Sequence, residues 1–297
     1  MLAIKRLVIF YIVAIVPLIG ISIGLSAAFG EAAYISTDPQ ALKWVSFLSA
    51  AAMFAPSISC AVTRLVTKEG WGNTYLGFTA KKGNIGYYAF SVISKPIESL
   101  MFLIIVWGVF LGNMSLSEVF NTQSPVMNIS LVFVQIAASV VLFFPAFGEE
   151  WGWRGYMMPK LLELMPKPAA VVVGGVLWGL WHAPLTVIGH NFGVDYPSFP
   201  FVGIVIMCGF CIAANAVLTF VTERTKSIYP ASFWHMINNN LSPFILSGFL
   251  FSEKAQTQMQ EKMTGLTPHL LYLAIILASA AVCFILFVKA KKNTDTV

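Results

Sequence analysis

The sequence predicts an all-α fold, a polytopic bundle of about eight helices that crosses a lipid bilayer. Of the 297 residues, 58% are hydrophobic and only 10% are charged, and the mean hydropathy is +0.78. About a quarter of the residues of an ordinary soluble domain are charged. The apolar residues occur in runs of about 20, the length that a helix needs to cross about 30 Å of hydrocarbon. We therefore expect an integral, multi-pass membrane protein.

The apolar runs set the expected order of the spans. The first run is longer than the apolar core of a secretory signal, so we expect a retained anchor. The fourth run is expected to end before Pro159, because a proline disfavours helical backbone at the residue that precedes it. No polar connection is long enough to fold alone, so residues 1–297 are predicted to form a single integral membrane domain. The eight predicted spans are 7–29, 42–63, 85–112, 126–158, 168–188, 199–222, 228–251 and 268–288.

The net charge of +5 is explained by membrane topology. With the N-terminus in the cytoplasm, 14 of the 18 basic residues lie on the cytoplasmic side. This bias follows the positive-inside rule, which places Lys and Arg on the cytoplasmic side. Both termini are thus expected to be cytoplasmic, and a bacterial plasma membrane is the expected location. The basic charge does not indicate nucleic acid as a partner.

The four cysteines all lie in predicted spans, where they are expected to be small apolar packing residues and not disulfides. Cys208 and Cys211 form a C-x-x-C pair. The sequence has no second pair of this kind, so we do not interpret this one as a redox or metal site.

Ionisable residues inside the spans are few. A charge in hydrocarbon costs at least about 2.5 kcal/mol, so each such residue needs a partner or a watery cavity. Lys95 and Glu98 are three residues apart on one helix and are expected to neutralise each other. Glu150 and Arg154 have the i, i+4 spacing of a second ion pair. Glu149 is rotated by about 100° from Glu150, so its carboxylate is free for other work.

Glu149, His182 and His235 are expected at similar depths in three helices. A rise of 1.5 Å per residue places each of them roughly 14 to 22 Å from the cytoplasmic charges of its helix. His235 and Asn239 have i, i+4 spacing and project together. Nearby prolines favour irregular backbone, which membrane proteins tolerate where it lines a cavity. Three further tryptophans of this region are assigned to the interfacial aromatic belt: Trp151, Trp153 and Trp181.

These residue types can hydrolyse an amide bond. A glutamate beside a histidine can hold and deprotonate a water molecule. A second histidine and an asparagine amide can donate hydrogen bonds to a developing oxyanion. The sequence contains no H-E-x-x-H and no G-x-S-x-G, and its aspartates lie in predicted loops or in the tail. A zinc site built from Glu149, His182 and His235 stays open as an alternative, because two histidines and a glutamate are a known ligand set.

Three short motifs follow one another in this region. They are E-E-x-x-x-R at Glu149 to Arg154, W-x-x-x-H at Trp178 to His182, and H-x-x-x-N at His235 to Asn239. Their order and spacing resemble those of the CAAX prenyl protease and bacteriocin-processing family of intramembrane glutamic proteases. The eukaryotic members of that family include the Ras converting enzyme. In the family's second motif, F-x-x-x-H, phenylalanine stands where this chain has tryptophan.

The resemblance implies an intramembrane endopeptidase that uses neither a metal nor another cofactor, with a catalytic core at about residues 144–240. It implies that Glu149 and His182 activate the water, and that His235 and Asn239 form the oxyanion site. Glu150 and Arg154 would brace the motif helix, and Trp178 would pack beside His182.

The implied partners are the bilayer and a peptide or protein substrate. A lipidated protein, a leader peptide, a signalling peptide and a bacteriocin precursor are all compatible. Two other classes of function stay open. One is a non-catalytic immunity or scaffold membrane protein of the same fold. The other is a proton-coupled transporter, which an inverted repeat would favour and for which the sequence shows no such repeat.

Overall fold

The computed structural model of the protein describes residues 2–120 and 125–290, so most of the predicted C-terminal tail lies outside the described residues. Within these ranges the chain is helical and forms no β-strand. The α-helices are α1 (Leu2–Phe29), α2 (Pro39–Ala52), α3 (Ala55–Val66), α4 (Ile85–Ile105), α5 (Leu116–Val119), α6 (Pro125–Ala138), α7 (Phe143–Gly152), α8 (Met158–Leu164), α9 (Lys167–Thr186), α10 (Phe201–Thr225), α11 (Tyr229–Leu246), α12 (Glu253–Lys262) and α13 (Thr267–Lys289).

Seven helical segments in the described chain are long and apolar enough to cross a membrane. They cover 2–29, 39–66, 85–110, 129–164, 167–186, 201–225 and 267–289. The predicted polytopic helical membrane fold is thereby confirmed. The seventh predicted span, 228–251, is helical as α11, which is shorter than predicted and carries polar residues. It packs against α4, α7 and α10.

The fourth predicted span is not a single helix that ends near Met158. After α6 come a 3-10 turn at Ser139–Leu142, then α7, then a π-helical turn at Trp153–Met157, and then α8. Pro159 lies in the first turn of α8. A proline in the first turn of a helix costs little, because its missing N–H would have no partner within the helix. The expected end before Pro159 was therefore wrong, and the helical path continues to Leu164.

Glycines set the close packing of the central helices. Within an apolar stretch of 18 residues, 50% of α9 and 56% of α10 are buried inside the protein, whereas the share for α1 is 22%. A Cβ atom at Gly179 of α9 would lie 2.6 Å from the Cα of Cys208 in α10, and one at Gly175 would overlap the backbone of Ile212. Small residues let membrane helices approach in this way. Gly175 and Gly179 therefore let α9, which carries His182, pack directly against α10.

Gly179→Ala is expected to destabilise the bundle by about 1–3 kcal/mol, because the added methyl group overpacks the crossing of α9 and α10. The matched control is Gly20→Ala, since a Cβ at Gly20 would meet no atom within 4 Å. Thermal unfolding in detergent micelles measures the difference. Equal midpoints for the two variants would contradict the inferred backbone contact.

The predicted pair of Lys95 and Glu98 is confirmed, and it is buried. The Lys95 ammonium Nζ lies 2.6 Å from Glu98 Oε2. Glu98 Oε1 accepts a hydrogen bond from Ser279 in α13, and the Lys95 ammonium lies 4.2 Å from the ring centroid of Trp234 in α11. The pair therefore joins α4 to two other helices. The expectation for the cysteines is also confirmed, because all four are free thiols.

Glu69 ties three helical segments together at the predicted cytoplasmic end. Its carboxylate contacts Lys160 of α8, lies 3.3 Å from Nε of Arg6 in α1, and accepts a hydrogen bond of 2.8 Å from the hydroxyl of Tyr156. Partial burial opposes ionisation, but these contacts outweigh it and hold the pKa of Glu69 below its ordinary value. The contact with Tyr156 anchors the π-helical turn that follows Glu149 and Glu150.

Candidate active site

Glu149 lies near the C-terminal end of α7, and its side chain is buried, with 2% exposed. One carboxylate oxygen, Oε2, accepts hydrogen bonds from two indole N–H groups. Trp178 of α9 donates at 3.0 Å and Trp153 at 3.2 Å. Within the described residues the other oxygen, Oε1, accepts no hydrogen bond. Glu149 therefore has one oxygen fixed by two donors and one oxygen without a hydrogen-bond donor among the described residues.

Glu150 faces a different set of partners. Its Oε1 accepts hydrogen bonds from Nη1 of Arg154 at 2.9 Å and from Nδ1 of His235 at 2.7 Å. All three side chains are buried. The predicted ion pair of Glu150 and Arg154 is thus confirmed, and α11 contributes a second partner from 85 positions along the chain. The result is a buried charged cluster that joins α7, the π-helical turn and α11.

Trp178 occupies the centre of this arrangement. The guanidinium carbon of Arg154 lies 4.1 Å from its ring centroid, a cation–π contact worth about 2 kcal/mol when desolvated. The His235 ring meets the Trp178 ring edge to face, at 5.5 Å between centroids. These two contacts, with Arg154 and with His235, hold the indole ring in place. Two buried nitrogens of Arg154, Nε and Nη2, have no partner among the described residues.

His182 lies one turn beyond Trp178 on α9 and is half-buried. Its Nδ1 is 2.9 Å from the main-chain carbonyl oxygen of Trp178. Because a carbonyl only accepts hydrogen bonds, Nδ1 carries the proton, and Nε2 of the neutral ring has a free lone pair. Nε2 has no hydrogen-bond partner in the described part of the chain. The ring packs edge to face on Trp181 and stacks on His190, at 4.8 and 6.2 Å between centroids.

Asn239 lies one turn beyond His235 on α11 and is half-buried. Its Oδ1 accepts a hydrogen bond from Nδ2 of Asn238 at 3.1 Å. Among the residues that the structure describes, no hydrogen bond joins Asn239 to the other candidate residues. The structure thus brings five candidates into one cluster, places His182 at its edge and leaves Asn239 one helical turn away. The five are Glu149, Glu150, Arg154, Trp178 and His235.

Trp153 and Trp181 do not lie in the aromatic belt, so that assignment was wrong. Both side chains are buried, and their rings meet edge to face at 5.6 Å between centroids. Trp181 donates its indole N–H to the carbonyl oxygen of Ala14 in α1. Trp153 is the residue of this site that the sequence reading missed. Its i, i+4 spacing from Glu149 was the signal that could have found it.

The zinc alternative requires Glu149, His182 and His235 to lie within reach of one ion. The described residues contain no group of three or more His, Cys, Asp or Glu side chains placed to hold a metal ion. Among these residues, Glu149, His182 and His235 are thus not arranged as a ligand set.

A family model matches the segment that carries this site. Residues 130–241, which contain all three motifs, match the family model of type II CAAX prenyl endopeptidases, Rce1-like. The resemblance predicted from the motifs is thereby confirmed.

Two curated proteins are similar to the chain. Lysostaphin resistance protein A of Staphylococcus haemolyticus is 22% identical over 228 residues, which are 75% of this chain and 58% of that protein. CAAX prenyl protease 2 of Methanococcus maripaludis is 25% identical over 100 residues, which are 33% of this chain and 37% of that protein. The chain thus spans less than two thirds of the length of either relative.

Proposed function

We propose that the protein is an intramembrane endopeptidase that hydrolyses peptide bonds of peptide or protein substrates, with residues 144–240 as its catalytic core. One observation carries this proposal: a buried glutamate has one oxygen held by two N–H donors, while the other oxygen accepts no hydrogen bond from the described residues. The Rce1-like family match supports a peptidase, and one similar protein is named a CAAX prenyl protease.

In this proposal Glu149 and His182 activate a water molecule. Glu149 Oε1 and His182 Nε2 are both hydrogen-bond acceptors, so a water that donates to them has its oxygen lone pairs directed at a substrate carbonyl. Glu149 takes a proton from the water as the oxygen attacks the carbonyl carbon. The tetrahedral intermediate then breaks its C–N bond, and Glu149 returns the proton to the leaving nitrogen.

His235 acts in this proposal as a donor to the oxyanion. Ionised Glu149, Glu150 and Arg154 carry a net charge of minus one. A protonated His235 would make the buried set neutral, and an uncompensated buried charge is costly. Protonated His235 keeps Nδ1–H on Glu150 and has Nε2–H left to donate to the oxyanion. Asn239 is proposed as the second donor, with its side-chain N–H₂ turned towards the bound substrate.

A non-catalytic role has one observation in its favour. The relative that covers most of this chain carries a name that describes resistance and no enzymatic reaction. If this chain acts in that way, Glu149→Gln would leave its cellular phenotype intact, because a scaffold needs no proton acceptor at this position.

The proposal predicts that purified protein cleaves members of a fluorogenic peptide panel and keeps this activity in metal chelators. His182→Ala is expected to lower kcat by about a hundredfold or more, since the ring would no longer orient the water. His190→Ala is the matched control, because His190 stacks on the His182 ring but has no proposed catalytic role. Activity lost in chelators and restored by zinc would contradict the glutamic mechanism. Failure of the wild-type protein to cleave any peptide would contradict the peptidase.

A further inference from the structure

We infer that Trp178 is a positioning residue that fixes both groups proposed to activate water. Its indole N–H donates to Glu149, and its main-chain carbonyl accepts from His182. This inference rests on the proposed function and deepens it. It assigns to the tryptophan a hydrogen bond that an aromatic ring without an N–H cannot make.

The indole N–H of Trp178 controls the orientation of the Glu149 carboxylate. Trp153 also donates to Oε2, but it lies on the same helical segment as Glu149 and moves with it. Trp178 comes from α9, so its 3.0 Å hydrogen bond ties the carboxylate to a second helix. Two donors on one oxygen stop rotation about the terminal carbon–carbon bond of the glutamate. The direction of the open Oε1 is therefore set by α9, the helix that also carries His182.

The indole itself has little freedom to turn. Its side chain is buried, Arg154 covers the ring at 4.1 Å and His235 meets the ring at 5.5 Å. A ring held by packing in this way directs its N–H without an entropic cost at each turnover, which is the purpose of preorganisation in an active site. The Arg154 guanidinium connects the same ring to Glu150. Trp178 thus contacts Glu149, Arg154 and His235 directly and is linked to Glu150 through Arg154.

The substitution that isolates the N–H is Trp178→Phe, the residue that stands at this position in the F-x-x-x-H form of the motif. The phenyl ring keeps the aromatic contact with Arg154 and His235 but cannot donate to Glu149. The His182 hydrogen bond is unaffected because a main-chain carbonyl accepts it. We expect kcat to fall about ten- to one-hundredfold, the effect of losing one hydrogen bond to a charged group. KM is expected to stay within about twofold, because Trp178 holds the reacting groups and not the substrate.

Trp181→Phe is the matched control. Trp181 lies on the same helix, is as deeply buried, and also donates its indole N–H, but to the carbonyl oxygen of Ala14. Its replacement removes the same atoms from the same region and is expected to lower kcat much less than Trp178→Phe does, because Trp181 packs on the His182 ring but donates no hydrogen bond to Glu149. Equal losses of kcat in the two variants would show that Trp178 acts through packing alone, and an unchanged kcat in Trp178→Phe would show that the N–H is dispensable. Either result would overturn the inference.

A stability measurement tests the same contact without catalysis. Trp178→Phe should lower the thermal midpoint more in the wild-type background than in Glu149→Ala, whereas Trp181→Phe should lower it equally in both. Absence of this coupling would overturn the inference even if the protein is a peptidase. A coupling measured in a protein that cleaves no peptide would support the contact and reject the proposed function. If Trp178→Phe does not fold, site-specific replacement by 3-benzothienylalanine removes only the N–H from a ring of the same shape.

Discussion

Glu149→Gln is expected to lower kcat by about 10³- to 10⁴-fold, the upper range for loss of a general base. The glutamine amide oxygen can still accept both indole hydrogen bonds, so the side chain keeps its place between Trp153 and Trp178. The amide cannot take a proton from water. Initial rates on a cleavable peptide, with the thermal midpoint measured on the same sample, separate loss of chemistry from loss of fold.

The matched control for Glu149→Gln is Glu98→Gln. Glu98 is a buried membrane glutamate outside the site, paired with Lys95 and remote in sequence from the three motifs. Its replacement is expected to lower stability, because it leaves the buried Lys95 charge uncompensated, while folded molecules keep their kcat. A Glu149→Gln protein that retains more than about a tenth of wild-type kcat would show that Glu149 is not the base.

Arg154→Leu is expected to have the largest effect on stability, a loss of about 3–5 kcal/mol, because it leaves the Glu150 carboxylate buried with an unbalanced charge. Arg154 is 1% exposed and also covers the ring of Trp178. The double variant Glu150→Gln with Arg154→Leu removes both charges and is expected to recover most of the stability. It should not recover activity, because the charge that holds His235 in place is gone. Unfolding in detergent and peptide cleavage measure the two effects.

Arg224→Leu provides the comparison for an exposed arginine. Arg224 lies in the last turn of α10 and is exposed to solvent. Its replacement is expected to change stability by no more than about 0.5 kcal/mol. If Arg154→Leu were as mild as Arg224→Leu, the buried cluster would not be charged as inferred.

The fold could be predicted from the sequence wherever apolar length was the signal. Seven of the eight predicted spans are apolar helices in the structure. The exception, α11, carries His235 and a run of asparagines, which lower its hydropathy. Its place in the chain between two apolar spans, α10 and α13, is what indicates that it also lies in the membrane. The irregular path of the fourth span could not be predicted, because a π-helical turn depends on tertiary packing and leaves no simple periodicity.

The site was predictable only where contacts are local. The pairs Lys95–Glu98 and Glu150–Arg154 follow from spacing on one helix, and both are present. The bonds from Trp178 to Glu149 and from His235 to Glu150 join different helices. Their geometry depends on how helices rotate and approach, which a sequence without its packing does not specify. Of the residues that the motif resemblance named, five lie in the cluster, His182 lies at its edge and Asn239 lies one turn away. The motifs did not specify which carboxylate each residue would contact.

The π-helical turn at Trp153–Met157 accommodates one extra residue in the helical path from α7 to α8. A π turn contains one residue more than an α turn. Loss of one residue from this turn would therefore let the segment close as ordinary α-helix and leave α8 in nearly its present rotation. Loss of one residue from α7 would instead rotate everything beyond it by about 100°, and Tyr156 would point away from Glu69. We expect a single deletion to be tolerated more readily within the π turn than within α7.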